Sequence, residues 1–351
     1  MKVVLADPPA YTPPYDRALA AALARAGVDV ELLTSHFRFG PVVDAEGYRA
    51  REVFYPVSPR IGRSRARLVV KALEHPLGLA RLATAQHDVV HLQWVGAPEL
   101  DAWLLRTRSP LVFTAHDLLP RRTAHRSSLW RRLFRRFDRV VVHSENGRRA
   151  LAEFGVPDAK LRVIPHPVFA AEVDHRDDGR TVLALGSIRP YKGLGDAIAA
   201  VRQVDGARLL VAGTAREPLD GYHTRGGNAV EWRLGWLAPT QLAATLAETT
   251  VAVFPYQPEL DQSGALLQAL GAGVPGVVYD VGGLGEVVRA FGAGRVVPPG
   301  DVAALADALR ELLDDSAALA RARQGAEHAR SELTWDAAAA AHLAVYRELT
   351  G

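Results

Sequence analysis

Three segments carry side chains whose type and spacing could do chemistry. In Gly186-Ser187-Ile188-Arg189-Pro190-Tyr191-Lys192-Gly193, two cations stand between a strand-forming run and a helix-forming one. At such a turn, backbone N–H groups and the helix dipole favour an anion, and Arg189 and Lys192 add two positive charges. An ordinary exposed loop with solvated cations has the same composition, so these residues alone leave both readings open. The second segment runs from Phe254-Pro255-Tyr256 into a polar stretch with Glu259, Asp261, Gln262 and Ser263, ahead of a helical pattern that begins near Gly264 and includes Gln268. Carboxylates and amides there suit recognition of hydroxyls, and the first helical N–H groups suit a sugar or phosphate. Asp261 or Ser263 also fits a plain N-cap, worth about 1 kcal/mol, and the two roles are compatible. The third is Val281-Gly282-Gly283-Leu284-Gly285-Glu286, whose glycines would let backbone approach a ligand closely but also mark any tight βα turn.

Histidines come next. His116, in Thr114-Ala115-His116-Asp117, follows a buried strand pattern and is expected to face a cleft, and His91 and His143 occupy similar strand ends. A histidine at such a place is more often a satisfied hydrogen-bonding group than a catalyst. No HExxH or comparable ligand spacing is present, so no metal held by protein side chains is expected.

The scaffold that must position these residues is legible in outline. The chain has 351 residues, and each half suits one α/β unit of roughly 150 residues. Val3-Val4-Leu5-Ala6, a helical stretch over residues 16–26 and the run Val28-Asp29-Val30-Glu31-Leu32-Leu33 predict a βαβ start and a parallel sheet. Apolar runs over 88–92, 111–115 and 139–143 continue that sheet as strands buried on both faces. After Val163-Ile164-Pro165-His166-Pro167, the polar stretch 172–180 reads as a linker. A second series follows, with strands at 181–186, 208–213, 251–254 and 276–279 and helices at 195–204 and 265–272. Two Rossmann-like units in tandem predict functional loops on either side of one cleft. The tail, over 301–313 and 318–349, reads as helical packing.

Composition removes several chemistries. Cysteine is absent, which excludes disulfides, thiolate metal sites, iron–sulfur clusters and a cysteine nucleophile. The start Met1-Lys2-Val3-Val4-Leu5-Ala6-Asp7 lacks signal-peptide features and no 18-residue apolar run occurs, so a cytoplasmic location is expected. Residues 1–170 hold 26 Lys+Arg against 16 Asp+Glu, a charge of +10; the remainder, with 42 − 26 = 16 against 39 − 16 = 23, stands at −7. That asymmetry points the first half at something anionic. Leu129-Trp130-Arg131-Arg132-Leu133-Phe134-Arg135-Arg136-Phe137 fits an amphipathic helix on an anionic membrane surface, and equally a crossover helix whose Leu133, Phe134 and Phe137 face the core. No aromatic platform or recognition helix supports nucleic-acid binding.

Taken in order, these segments resemble the family 4 glycosyltransferases, retaining enzymes of the GT-B fold, over essentially the whole chain. The likeness rests on the 186–193 loop, Val211-Ala212-Gly213, Leu234-Gly235-Trp236-Leu237, Phe254-Pro255-Tyr256, the run from Ser263 to Pro275, Gly282-Gly283-Leu284-Gly285-Glu286 and Val297-Pro298-Pro299-Gly300-Asp301. In the first half, Asp88-Val89-Val90-His91 and Thr114-Ala115-His116-Asp117 look like the family's strands, and Thr334-Trp335 with Tyr346 like its final helix. The resemblance implies an acceptor domain over 1–170, a donor domain over 171–332 and a last helix, 333–351, crossing back to the first domain. It implies a nucleoside-diphosphate-sugar co-substrate of the UDP or GDP type, no cofactor, no metal, and hexosyl-type transfer with retained configuration to an acceptor that is a glycan, a lipid-linked molecule or a small molecule. Arg189 and Lys192 would stabilise the leaving diphosphate and His116 would lie near the reaction centre. Backbone at Leu237 would hold the base. Tyr15, Ser187, Gln262, Ser263, Gly264, Gln268, Gly283 and Glu286 would complete the binding set. The leaving phosphate would take the acceptor's proton, so no protein base is required.

The chain departs from the family pattern where two glutamates usually stand eight positions apart: Leu260 occupies the first and Gln268 the second. Only Glu259 and Asp261 flank the first. The usual arginine five residues before the lysine is Ser187, with Arg189 supplying the charge instead, and Pro13-Pro14-Tyr15-Asp16 replaces a glycine-rich first loop. Beside an active transferase stand two other readings, a catalytically silent relative acting as a binding or partner subunit and a nucleotide-sugar epimerase of the same fold.

Overall fold

The computed structural model describes residues 1–38, 40–61, 64–84, 86–120, 123–257 and 262–351. Two compact units divide it: residues 1–165 together with 335–351, and residues 166–334.

The first unit holds a seven-stranded parallel sheet of β1 (Lys2–Asp7), β2 (Asp29–Thr34), β3 (Arg49–Glu52), β4 (Val89–Leu92), β5 (Leu111–Thr114), β6 (Arg139–Val142) and β7 (Leu161–Val163), in the order β3-β2-β1-β4-β5-β6-β7. Its helices are α1 (Pro13–Arg25), α2 (Arg65–Thr84), α3 (Pro98–Leu104), α4 (Ser127–Arg136) and α5 (Glu145–Phe154). Continuous β-branched runs bury β4, β5 and β6 on both faces, and this is why they sit in the middle of the sheet. One core layer lies against α4 and the other against α1, where the chain's last helix also packs.

The second unit holds β8 (Thr181–Leu185), β9 (Arg208–Gly213), β10 (Val230–Leu234), β11 (Val251–Phe254), β12 (Gly276–Tyr279) and β13 (Gly294–Val297), all parallel, in the order β10-β9-β8-β11-β12-β13. Its helices are α6 (Leu194–Val201), α7 (Asp220–Gly226), α8 (Pro239–Ala247), α9 (Gly264–Gly271), α10 (Gly282–Phe291), α11 (Val302–Asp314) and α12 (Ser316–Glu332); α13 (Trp335–Thr350) belongs to the first unit. There Tyr346 is fully buried and its hydroxyl meets His91 Nδ1 at 2.7 Å.

Two expectations are corrected. The stretch 172–180 is no free linker: Ala171 N–H donates to Gly271 O, Arg176 N–H to Ala247 O, and the Asp177 carboxylate takes Thr250 Oγ1 at 2.9 Å and Arg323 Nη2 at 2.7 Å. Asp177, Asp178 and Arg180 tie the segment to the second unit, while Asp174 and Arg176 pair with each other in solvent. Nor does the helix over residues 127–136 offer an apolar side to a membrane. Trp130, Leu133, Phe134 and Phe137 are buried in the core, and Trp130 Nε1–H donates to Thr123 Oγ1 at 3.2 Å. Two of its arginines cap a neighbour instead. Arg132 Nε and Arg136 Nε donate to Ala102 O, and Arg136 Nη1 to Leu105 O, satisfying carbonyls at the C-terminal end of α3.

Candidate functional site

In each sheet the strand order reverses at one place, between β1 and β4 in the first and between β8 and β11 in the second. Loops leaving strand C-termini at such a reversal diverge to opposite faces and open a crevice, where α/β proteins bind ligands. Ser187, Arg189, Lys192 and Ser263 lie on the loops after β8 and β11 at the second of these places, and Tyr15 on the helix after β1 at the first.

In the second unit, the chain leaves β8 through Gly186 and Ser187, forms one turn of 3-10 helix at Pro190–Lys192, and enters α6. Gly193 joins the two at φ +66°, and a Cβ there would stand 1.9 Å from Pro255 O, so no other residue fits without moving backbone. The close approach locks this loop to the one after β11, with Gln257 N–H donating to Tyr191 O at 2.8 Å. Between the loops lies a pocket lined by Ser187, Ile188, Lys192, Pro255 and Tyr256 with the end of β8. Lys192 Nζ donates to the Tyr256 hydroxyl at 2.8 Å and lies 4.7 Å from that ring's centre. The Tyr256 and Ser263 hydroxyls are 3.0 Å apart, and Ser263 Oγ accepts Leu266 N–H at 3.2 Å as the N-cap of α9. An ammonium is thus fixed at the pocket wall through hydroxyls anchored to a helix start. Ser263 is both cap and part of this chain. Sequence reading left Tyr256 out of the candidate residues; the signal was a tyrosine two residues past a buried strand.

The rest of the candidate set in this unit is less concentrated. Arg189 is exposed and, among the described residues, makes no ion pair. Gly264 opens α9 in an exposed position, Gln262 and Gln268 are half-buried, and Gly283 and Glu286 lie in α10, buried and half-buried. Leu237 follows β10 and packs against the core. Glu259, Leu260 and Asp261 lie outside the described residues.

In the first unit the three histidines separate. His91 is a core residue within β4, its nitrogens 2.7 Å from the Tyr346 and Thr114 hydroxyls, and burial holds it neutral. It lines no cleft, because its place in the strand turns it into the layer under α13. His143 is buried, with its pKa pushed down to about 4 by burial, and its Nδ1–H donates to Ile164 O at 2.9 Å. Its Nε2 therefore carries a lone pair, and the His116 nitrogen 3.3 Å away, Nδ1, must be the protonated one. His116 Nε2 then faces Gln93, whose oxygen is placed at 3.1 Å while its buried Nε2 has no partner. His116 is half-buried, stacked on Trp94 with 5.4 Å between ring centres. Tyr15, only 2% exposed, meets the His116 ring edge-on at 4.6 Å and also touches His143 and Trp335. It therefore positions His116 from beneath, where the sequence suggested a substrate contact. Tyr11 lies edge-on to Trp94 at 5.3 Å and is exposed. Among the described residues no group of three or more His, Cys, Asp or Glu is placed to hold a metal ion.

Beside this cluster the sequence hid a carboxyl pair. Asp7 ends β1 and Asp16 lies in the first turn of α1, both fully buried and linked through Thr12, whose N–H donates to Asp7 Oδ2 at 3.1 Å and whose hydroxyl lies 3.4 Å from the Asp16 carboxylate. Burial raises Asp7 to about 6 from 3.8, and burial together with the Asp7 charge raises Asp16. A raised carboxyl binds its proton more tightly in the folded state, so its contribution to stability is complete below 3.8 and is lost as pH rises through about 6. Asp7→Asn is expected to stabilise the first unit by roughly 1–3 kcal/mol at neutral pH and to flatten the fall in stability between pH 4 and 7. Urea titrations at several pH values measure this, and an unchanged slope would refute it.

Sequence comparison matches residues 17–171 to the Glycosyltransferase Family 4 model and residues 179–315 to the Glycosyl transferases group 1 model. A glycogen synthase of Mycobacterium tuberculosis is 32% identical over 241 residues, covering 64% of this chain and 57% of the relative, so the chain spans little more than half that protein's length. A D-inositol 3-phosphate glycosyltransferase of Mycobacterium marinum is 28% identical over 95% of this chain and 80% of the relative. Among solved structures, sucrose-phosphate synthase from Thermosynechococcus elongatus superposes with a TM-score of 0.81 at 22% identity over 99% of each chain. The Anabaena protein HepE, in complex with UDP and glucose, superposes at 0.71 with 16% identity over 99% of this chain and all of the other. With both sheets, their switch points and both halves of the family pattern in place, the chain belongs to the group 1, family 4 glycosyltransferases of the GT-B fold.

Proposed function

We infer that the protein transfers a hexosyl group from a UDP- or GDP-type sugar to an acceptor hydroxyl, with retention of configuration, without a metal or cofactor, at a cytoplasmic site. The observation that carries this reading is the fixed ammonium of Lys192 beside the pocket at the second sheet's reversal. Breaking the bond between the sugar C1 and the phosphate oxygen puts negative charge on the diphosphate. Lys192 and Arg189, both after β8, stabilise that charge as it grows, and the rigid support of Lys192 spares reorganisation at that moment. The acceptor oxygen forms the new bond to C1, and its proton passes to the departing phosphate oxygen. In the first unit, the exposed Tyr11 ring stands edge-on to Trp94, which stacks on His116, and an aromatic group of this kind suits an acceptor bearing a sugar or cyclitol. A relative named as a glycogen synthase and another named as a D-inositol 3-phosphate glycosyltransferase agree with that class.

A silent, binding-only relative is the second reading, favoured by Gln268 where the family usually has a carboxylate. A thermal-shift screen of UDP-, GDP-, ADP- and TDP-sugars tests both. A ligand at 100 times its Kd stabilises the folded state by about 2.7 kcal/mol, so one nucleotide should give a clear shift that Lys192→Ala removes. Binding with no turnover on sugar, cyclitol and lipid-linked acceptors would favour the silent relative, and no shift with any nucleotide would refute the transferase.

A further inference from the structure

Helix α2 has an apolar outer face. Leu68, Val69, Leu73 and Leu77 are 66, 60, 69 and 68% exposed. Positions 69, 73 and 77 advance about 40° per step around a helix, so these side chains form one stripe, with the exposed Ala72 and Ala80 between and beyond them. The helix cannot roll this stripe inward, because polar contacts fix its inner face. Glu74 accepts Val57 N–H at 2.6 Å and Ser58 N–H at 3.1 Å. His75 Nδ1 meets the Tyr55 hydroxyl at 2.7 Å, and its Nε2 meets the Asp101 carboxylate at 2.6 Å.

Glu74 is the helix's one acidic residue and it is buried, so the outer face carries no carboxylate. Arg65 and Arg81 stand exposed near the two ends of α2, and Arg60 is exposed just ahead of it. Next to α2, helix α3 exposes Trp103 at 60%, with the Arg132 guanidinium 3.6 Å over its ring. Contiguous exposed apolar surface of this kind marks an interaction face. Its charge selects the occupant. A second copy would set one cationic stripe against another, within a segment, residues 1–170, that carries 26 Lys+Arg against 16 Asp+Glu. An acidic lipid surface instead receives the leucines at the acyl boundary and the arginines at headgroup level. We propose that α2 is a membrane-docking helix that lies on anionic lipid through Val69, Leu73 and Leu77, with Arg65 and Arg81 on the headgroups. This does not rest on the transfer reaction.

The test is co-flotation of the full chain with vesicles of phosphatidylglycerol and phosphatidylcholine, against phosphatidylcholine alone. Val69→Gln/Leu73→Gln/Leu77→Gln alters only exposed positions, and its fold is checked by melting. The wild type should float with the anionic vesicles, the triple variant should lose about tenfold or more of its partitioning, and Arg65→Gln/Arg81→Gln should weaken binding and its salt dependence. Failure of the wild type to float, equal flotation with neutral vesicles, or undiminished binding of the triple variant would each overturn the proposal. A dimer in sedimentation that the triple variant dissolves, without vesicle binding, would assign the face to a second copy.

Discussion

Lys192→Ala is expected to lower turnover by about a hundredfold to a thousandfold while leaving the fold intact, the scale seen when one preorganised group is withdrawn from a developing negative charge. The expectation follows from how the ammonium is held. It is half-buried, bonded to the Tyr256 hydroxyl at 2.8 Å, and that hydroxyl lies 3.0 Å from Ser263 Oγ at the N-cap of α9. Such a charge needs no rearrangement as the diphosphate departs, whereas a free lysine would first have to be ordered. Tyr256→Phe keeps the lysine and removes its anchor, so a smaller loss of roughly tenfold is expected, the worth of one hydrogen bond to a charged group. Lys192→Arg should not restore full rate, because a planar fork does not reproduce a point charge on this hydroxyl. Steady-state kinetics with melting curves measure all three. Turnover of Lys192→Ala within a few-fold of wild type would remove the lysine from the reaction.

Trp130→Ala is expected to cost the first unit about 3–5 kcal/mol, the usual range for truncating a fully buried tryptophan. Trp130 is 0% exposed, lies among Leu133, Phe134 and Phe137, and donates through Nε1 to Thr123. Its loss opens a cavity and leaves the Thr123 hydroxyl without that donor. For a unit of this size the shift should reach roughly 10 °C in melting temperature. By contrast, Leu73→Gln on the exposed face of α2 should change stability by no more than about 0.5 kcal/mol. Circular dichroism melts of both variants decide the matter. A mild Trp130→Ala phenotype would mean that α4 is not packed as described, and would return that helix to the list of possible membrane surfaces.

The sequence was most legible where a strand is buried on both faces. Residues 88–92, 111–115, 139–143, 181–186, 251–254 and 276–279 are continuous apolar runs, and all lie inside their sheets. The strands it concealed, β3, β7, β10 and β13, are the four edge strands. An edge strand is half solvated and carries charge, as in Arg-Ala-Arg-Glu of β3 and Val-Glu-Trp-Arg-Leu of β10, so no apolar run announces it. Helix α2 escaped notice for a related reason. Pro76 and Gly78 interrupt its pattern, and apolar residues on both faces blur the period from which a helix is read.

The amino-acid order by itself determined the strand–helix alternation, the cationic loop after β8 and the family, since each of these is a local pattern of residue types along the chain. Tertiary structure alone decided which groups meet. Asp7 and Asp16 are buried side by side around Thr12 because β1 and α1 pack against one another, and no spacing rule marks two carboxyls as desolvated together. Tyr256 reaches Lys192 across 64 residues only because β8 and β11 are neighbours in the sheet. The outward direction of α2 and the inward direction of α4 were undecidable from composition, since both are apolar helices bearing arginines. Packing settles it, because the tryptophan of α4 fills the core, while the inner face of α2 is fixed by Glu74, His75 and the buried Leu79 and Leu82, leaving Leu68, Leu73 and Leu77 to face outward.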